Sequence, residues 1–306
     1  MLRSLFYERG DFIVKFKKII VLSAALLLLA GCGSPKSAAD ETSTKKMEQE
    51  KRVVTTTVAT TEIMAKLNVD LVGIPTSSEK LPERYAKVQK TGSPMSPDLE
   101  IIRSLKPDVV LATKTLEADL KDGFEQAQLK AEFLDFRSIS SMEDEITKLG
   151  KTLEREKEAK VLNETLSQHV SNIKAEVAGK KQPTVLILMG IPGSYLVVTE
   201  HAYIGDLVKI AGGKNIIQDQ PQEYLASNTE FLQKSNPDII LRASHGMPKE
   251  VVEMFDKEFK DNDIWKHFNA VKKGRVYDLD ENLFGMTASL NAPDALDKTV
   301  EYLYEK

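Results

Sequence analysis

Two short loops carry residue types that can ligate a metal. One reads Ala243-Ser244-His245-Gly246-Met247-Pro248, the other Gly92-Ser93-Pro94-Met95-Ser96-Pro97. An imidazole nitrogen and a thioether sulfur together make the axial pair that holds haem iron in electron-transfer cytochromes. With both axial positions filled, the iron keeps no open site for oxygen or peroxide chemistry, so such a pair carries haem without using it. Each residue also has a plainer reading. A lone loop histidine is ordinarily a surface residue, and a methionine ordinarily plugs a core gap. The glycines and prolines around both set the backbone, so the two side chains are presented on loops and could close on one flat ligand from opposite faces.

These loops need elements to position them. Pro237-Asp238-Ile239-Ile240-Leu241 is apolar, β-branched and opened by a turn pair, so a strand is expected, with His245 just past its carboxyl end. In open α/β sheets ligands bind there. The same pattern occurs twice: residues 98–112 read DLEIIRSLKPDVVLA and residues 228–242 read NTEFLQKSNPDIILR. Each predicts a short helix, a Pro-Asp turn and a parallel-sheet strand, with Glu100 and Glu230 in the same slot. Two lobes of similar build follow. Arg52 to Ala59 is strand-like, with a short helix from Thr60 to Leu67. Thr184 to Thr199 predicts two strands around Gly190-Ile191-Pro192-Gly193, and Ala202 to Gly213 a helix.

Residues 141–179 are rich in Glu, Lys, Leu and Ala, with an apolar stripe through Ile146, Leu149, Leu153, Leu162, Leu166 and Ile173. With Ser141 as N-cap and Gly179 as stop, they predict one helix crossing the lobe boundary, a rod of roughly 50 Å. The alternative is two helices broken near Gly150. The expected class is therefore α/β, with two three-layer lobes (51–140 and 180–306) joined by one long α-helix.

The 306 residues carry a net charge of −4 with no basic stripe, which argues against nucleic acid, and a single cysteine, which excludes disulfide frameworks and Cys-based zinc sites. That cysteine ends Lys15 to Cys32: a lysine cluster, an apolar core from Ile19 to Ala30, then Gly31-Cys32. This is the layout of a secretory signal over residues 1–32, and Leu29-Ala30-Gly31-Cys32 resembles the bacterial lipobox, in which the cysteine receives a lipid. An uncleaved anchor helix is the other reading. Residues 33–50 are small, polar and charged, a flexible tether.

Residues 53–306 resemble the haem-receptor lipoproteins of Gram-positive iron-regulated surface determinant systems, which are substrate-binding components of ABC importers. The segments that carry it are TTTVAT (Thr55–Thr60), TGSPM (Thr91–Met95), VLILMGIPGSYLVVT (Val185–Thr199), YIGDLVKIAGG (Tyr203–Gly213), NPDIILRASHGMP (Asn236–Pro248) and DNDIWKHFNAV (Asp261–Val271). The resemblance implies a class III periplasmic-binding-protein-like fold, haem in the groove between the lobes, and Met95 and His245 as axial ligands. It places the haem propionates against backbone amides at Val58 and Ala59, with Thr60 beside them, and a basic residue in the next loop. Here that basic position reads Glu79, with Lys80 adjacent. It further implies docking on an ABC permease and its ATPase through Glu100 and Glu230, haem received from upstream cell-wall relay proteins, and a monomer lipid-anchored on the extracytoplasmic face of the cell membrane.

Tyr195 is expected to line the groove, ordinary core being its alternative. Met247 and Met286 are other candidate thioethers, although Met247 is too close in sequence to His245 to reach the opposite haem face easily. His169, His201 and His267 read as surface or half-buried residues. A siderophore or corrinoid receptor of the same importer class is the alternative function, and it would favour aromatic and arginine clusters that are sparse here. An enzyme would need motifs such as HExxH, Gly-x-Ser-x-Gly or a phosphate loop, and none occurs.

Overall fold

The computed structural model describes residues 50–227, 232 and 234–304. Cys32 and Glu230 therefore lie outside the described residues, as do the signal and tether segments up to residue 49. The N-terminal half contributes β1 (Val53–Thr55), β2 (Leu71–Ile74), β3 (Gln89–Lys90), a hairpin of β4 (Gly92–Ser93) and β5 (Ser96–Pro97), then β6 (Val109–Thr113) and β7 (Ala131–Leu134). β1, β2, β3, β6 and β7 form a five-stranded parallel sheet in the order β3-β2-β1-β6-β7. The C-terminal half contributes β8 (Thr184–Ile191), β9 (Ser194–Val198), β10 (Lys214–Asn215), β11 (Tyr224–Ala226), β12 (Ile239–Ser244) and β13 (Val276–Asp278). These make a mixed sheet in the order β11-β9-β8-β12-β13, with β10 also on β8. Helices α1 (Val58–Lys66) and α3 (Glu117–Gln126) follow strands of the first sheet and α2 (Leu99–Ser104) the β4–β5 hairpin, while α6 (Tyr203–Ile210), α7 (Pro248–Asp261), α8 (Asp263–Lys266), α9 (Asn269–Lys272) and α10 (Ala292–Tyr304) lie within the second half.

Alternation along the strands explains the layering. Val53, Val109 and Leu111 join a core that continues through Val185, Ile187, Met189, Ile239 and Leu241, so one apolar body underlies both sheets. Their neighbours face the other way, Val54, Val110 and Ala112 beneath α2 and α3, and Leu186, Leu188 and Ile240 beneath α7 to α9. Strands buried on both faces are expected to be largely apolar, and these are, with Arg242 the one charged exception among the described residues of these strands.

The link between the halves is two helices, α4 (Ile139–Thr152) and α5 (Glu156–Val177). The single rod is not observed. The chain turns at Glu154, which has φ +57°, and the Arg155 N–H closes onto the Gly150 carbonyl at 2.7 Å, the 6→1 bond that ends a helix in a Schellman turn. α5 then runs back along α4: Asn163 donates to the Glu143 carbonyl and to the Thr147 hydroxyl, and the Ser167 hydroxyl to the Glu143 carboxylate. The two-helix alternative with a break near Gly150 is thus what is observed, although Gly150 itself stays helical and the turn lies at residues 153–155. A Cβ at Gly150 would lie 2.5 Å from Cβ of Ala159, so glycine is needed for the close approach of the returning helix. The N-cap is also earlier than expected. Ser138 and Ser141 exchange side-chain-to-backbone bonds in a capping box, which starts α4 at Ile139.

Candidate functional site

The Pro-Asp turns set each sheet before any ligand loop is built. In the first sheet the Arg52 N–H donates to the Asp108 carboxylate at 2.7 Å and the Asp108 N–H to the Arg52 carbonyl at 2.8 Å. In the second the Thr184 N–H donates to Asp238 at 2.9 Å and the Asp238 N–H to the Thr184 carbonyl at 2.9 Å. The Thr184 backbone bond holds the Asp238 carboxyl below its ordinary range; burial works against this and the Thr184 hydroxyl adds to it.

Three loops leave the carboxyl ends of the adjacent strands β1, β2 and β3. The first opens α1. Thr57 is its N-cap, with a side chain that accepts from the Thr60 N–H while Thr60 returns the bond. The Val58 and Ala59 N–H groups, at the first two helical positions, meet no acceptor among the described residues. Free amides and the helix dipole make this a place for a carboxylate. Thr60 does not share it: it is fully buried, its N–H is capped and its hydroxyl bonds the Thr57 carbonyl, so its role is to build the cap.

The second loop holds Glu79 and Lys80, both exposed. Glu62, half-buried on α1, has its carboxyl pushed up by burial, with Glu79 adding to the rise and Lys66 opposing it. Acidic charge thus stands where the resemblance implies a base, and Lys80 is the adjacent cation. The third loop is the β4–β5 hairpin, tied to the second by the Thr76 N–H on the Gly92 carbonyl at 2.7 Å. Met95 sits at its tip, 66% exposed. It plugs no core gap.

In the second sheet, His245 follows the last residue of β12 and is exposed. Its N–H donates to the Gly190 carbonyl at 2.9 Å, and the next N–H, of Gly246, to the Glu281 carboxylate at 2.7 Å. The backbone is thus anchored on both sides while the imidazole stays free of the core. The carboxyl ends of the two sheets are joined at Phe136, beyond β7, where its carbonyl accepts from the Ala288 N–H at 2.7 Å in the segment between β13 and α10. Hollows of about 300 Å³ beside Arg52 and Lys130, and about 340 Å³ between α4 and α5, lie elsewhere; neither is lined by Met95 or His245.

Tyr195 departs from expectation. It pairs with Gly190, and its ring packs against Phe255 at 5.8 Å and Trp265 at 6.0 Å, within the aromatic cluster under α7. Burial raises its hydroxyl pKa, Glu258 adds to the rise, and a bond with Ser227 opposes it. The ordinary-core reading describes it. Arg242 is a structural residue of the site that the motif pattern does not single out. It is 7% exposed on β12, bonded twice to Asp278 and once to Asp256, with its guanidinium over the Phe255 and Phe259 rings. A charged residue in an apolar strand three positions before the histidine was the available signal: it locks β12, β13 and α7 around the His245 loop. Of the other histidines, His169 bonds Asp297 at 2.9 Å and links α5 to α10, while His201 and His267 are exposed. Glu100 is exposed in the first turn of α2, where Asp98 is the cap.

A model of the family described as periplasmic binding protein matches residues 53–283. The chain belongs to that family. Its members are substrate-binding components of transport systems, so the receptor reading stands and the enzyme reading does not. The chain is 49% identical over 249 residues to the high-affinity heme uptake system protein IsdE of Staphylococcus aureus (strain Newman), covering 81% of this chain and 85% of that protein. It is similar to the crystal structure of an ABC transporter substrate-binding protein from Listeria monocytogenes EGD-e, at 69% identity and TM-score 0.82, covering 84% of this chain and all of the other. The crystal structure of S. aureus IsdE complexed with heme is 49% identical with TM-score 0.81, at the same coverage. IsdE is a class III binding protein, and the α/β, two-sheet architecture of this chain agrees with that fold.

Proposed function

We propose that this protein is an extracytoplasmic haem receptor of an ABC importer, binding haem with Met95 and His245 as axial ligands and passing it to a permease for iron acquisition. The observation that carries the reading is the pair of exposed ligand-type side chains on loops at strand carboxyl ends, in a chain 49% identical to a heme-complexed binding protein. The free Val58 and Ala59 amides supply the place for a propionate, and Lys80 a neighbouring cation. When bound, haem iron supplies two axial coordination sites. Imidazole and thioether fill both and leave it coordinatively saturated, which suits carriage rather than reaction.

The partners are an ABC permease and its ATPase, with upstream relay proteins handing over haem. The receptor acts as a monomer tethered by a lipid on Cys32; among the described residues no helix is long and apolar enough to cross a membrane. Glu100 and Glu230 each meet an arginine of the permease. Exposed ion pairs contribute roughly 0.2–1 kcal/mol each. The double change to Ala therefore leaves haem affinity intact in solution and impairs haem-dependent growth; normal growth removes the docking role.

Purified protein mixed with haem tests the central claim. A Soret band with a six-coordinate low-spin spectrum, lost in the Met95→Ala/His245→Ala double variant, is expected. A high-affinity spectrum unchanged in that variant would exclude this site.

A further inference from the structure

Six non-glycine residues among those described have a left-handed backbone: Asn68, Lys106, Gln128, Glu154, Asp219 and Met247. The first four each follow the C-cap of a helix, where this conformation ends helices routinely, and all but Met247 are polar. Met247 is the apolar exception, at φ +50°, ψ +55°, and it precedes a helix rather than following one. As N-cap of α7 it offers no side-chain acceptor, although capping is what that position ordinarily selects for. Asparagine would meet the first demand, since it tolerates the left-handed region. Methionine satisfies neither, yet it is 55% exposed and so does not contribute to the core instead.

A residue that breaks two local rules without a packing gain points to a role outside the folded chain's own stability. Its place suggests which. Met247 is two residues beyond His245 on a loop whose backbone is pinned by Gly190, Glu281 and the Val251 N–H, which donates to the Met247 carbonyl at 3.1 Å. Pro248 then holds the first helical position. The side chain is thus exposed on the same loop as the imidazole, and with Met95 it is one of two large exposed methionines among the described residues, each on a loop carrying a candidate ligand.

Resting on the haem reading above, we propose that Met247 is a third haem contact, an apolar thioether laid against the porphyrin on the face that His245 ligates. It does not ligate the iron, because the same loop already delivers the imidazole to that face. Burying its exposed methylenes and sulfur against the macrocycle slows haem release, and a polarisable thioether suits a flat aromatic surface.

The test uses full-length, detergent-solubilised protein with methyl-¹³C methionine and diamagnetic gallium(III) protoporphyrin IX as probe. The methyl signals of Met95 and Met247 (the latter assigned by its loss in Met247→Leu) shift under the porphyrin ring current. Those of the buried Met142 and Met189 stay in place. With haem, transfer to apomyoglobin is about tenfold faster for Met247→Asn and within about twofold of the parent for Met247→Leu, as lost apolar contact requires. The apo form of Met247→Asn melts about 2 °C higher, because asparagine tolerates the left-handed backbone. A Met247 methyl that stays in place while that of Met95 shifts, or an unchanged off-rate in Met247→Asn, overturns the third contact and leaves the haem reading standing. If neither methyl moves and no Soret band forms, both fall.

Discussion

The two halves use one device to build their sheets and different devices to present their ligands. Asp108 and Asp238 make the same two-bond clamp, pinning respectively Arg52, just before β1, and Thr184, the first residue of β8. Beyond the clamps the symmetry stops. β12 lies inside its sheet and ends at Ser244, directly before His245, whereas its counterpart β6 ends at Thr113 and leads into a turn at Lys114–Leu116. Met95 comes instead from a hairpin beyond the edge strand β3. The repeat therefore specifies scaffolds, and each ligand loop is an independent addition. The backbone of the histidine loop, just past a central strand, is anchored by Gly190 and Glu281; the thioether loop, on an edge hairpin, is held mainly by its own turn.

That contrast predicts unequal loss on removing the ligands. His245→Ala should raise the haem off-rate on the order of a hundredfold and Met95→Ala on the order of tenfold, since imidazole is the better ligand for ferric iron and thioether favours ferrous. Stopped-flow transfer to apomyoglobin measures both, and equal effects would erase the distinction between the loops.

The sheets should also differ in tolerance of added volume. A Cβ at Gly190 would lie 2.3 Å from Val251 and 2.7 Å from Phe255, under α7, whereas one at Gly73 meets the ends of Thr91 and Leu105 side chains at 2.8 and 2.9 Å. Gly190→Ala is expected to cost about 2–3 kcal/mol and Gly73→Ala about 1 kcal/mol in urea unfolding. A costlier Gly73→Ala would mean that the first sheet is the stiffer one.

The smallest effect concerns the clamps. Asp238→Ala and Asp108→Ala should each cost about 1–2 kcal/mol near neutral pH. The Asp238 carboxyl is held below its ordinary range by the Thr184 bonds, so its contribution is complete above that range and is lost as pH falls through it toward the lower folded value. Thermal melts at and below about pH 4 should thus show a flatter acid limb in Asp238→Ala than in the parent. An unchanged limb would assign the acid sensitivity to other carboxylates.

Much of this was legible along the chain. Pro237-Asp238 followed by β-branched residues, then Gly246 and Pro248, forces strand then loop, so His245 could be placed at a strand's carboxyl end without coordinates. The Gly-Pro pattern around Met95 did the same, although the edge hairpin itself could not be foreseen. The helix break was harder to read, because its left-handed residue is Glu154 rather than glycine and no stop signal is written there. The visible Gly150 served another purpose, the approach of Ala159.

Local sequence thus determined where chain direction changes and which side chains those turns present, because turn chemistry and strand alternation act over a few residues and need no partner. Tertiary structure alone decided what meets across distance. It folded α5 back on α4, turned Tyr195 toward Phe255 and Trp265, enclosed Arg242 between Asp256 and Asp278, and left Met95 and His245 exposed. Each outcome depends on whether an apolar face or a charge finds a partner from another element, and that pairing is set only when both sheets have closed over their shared core.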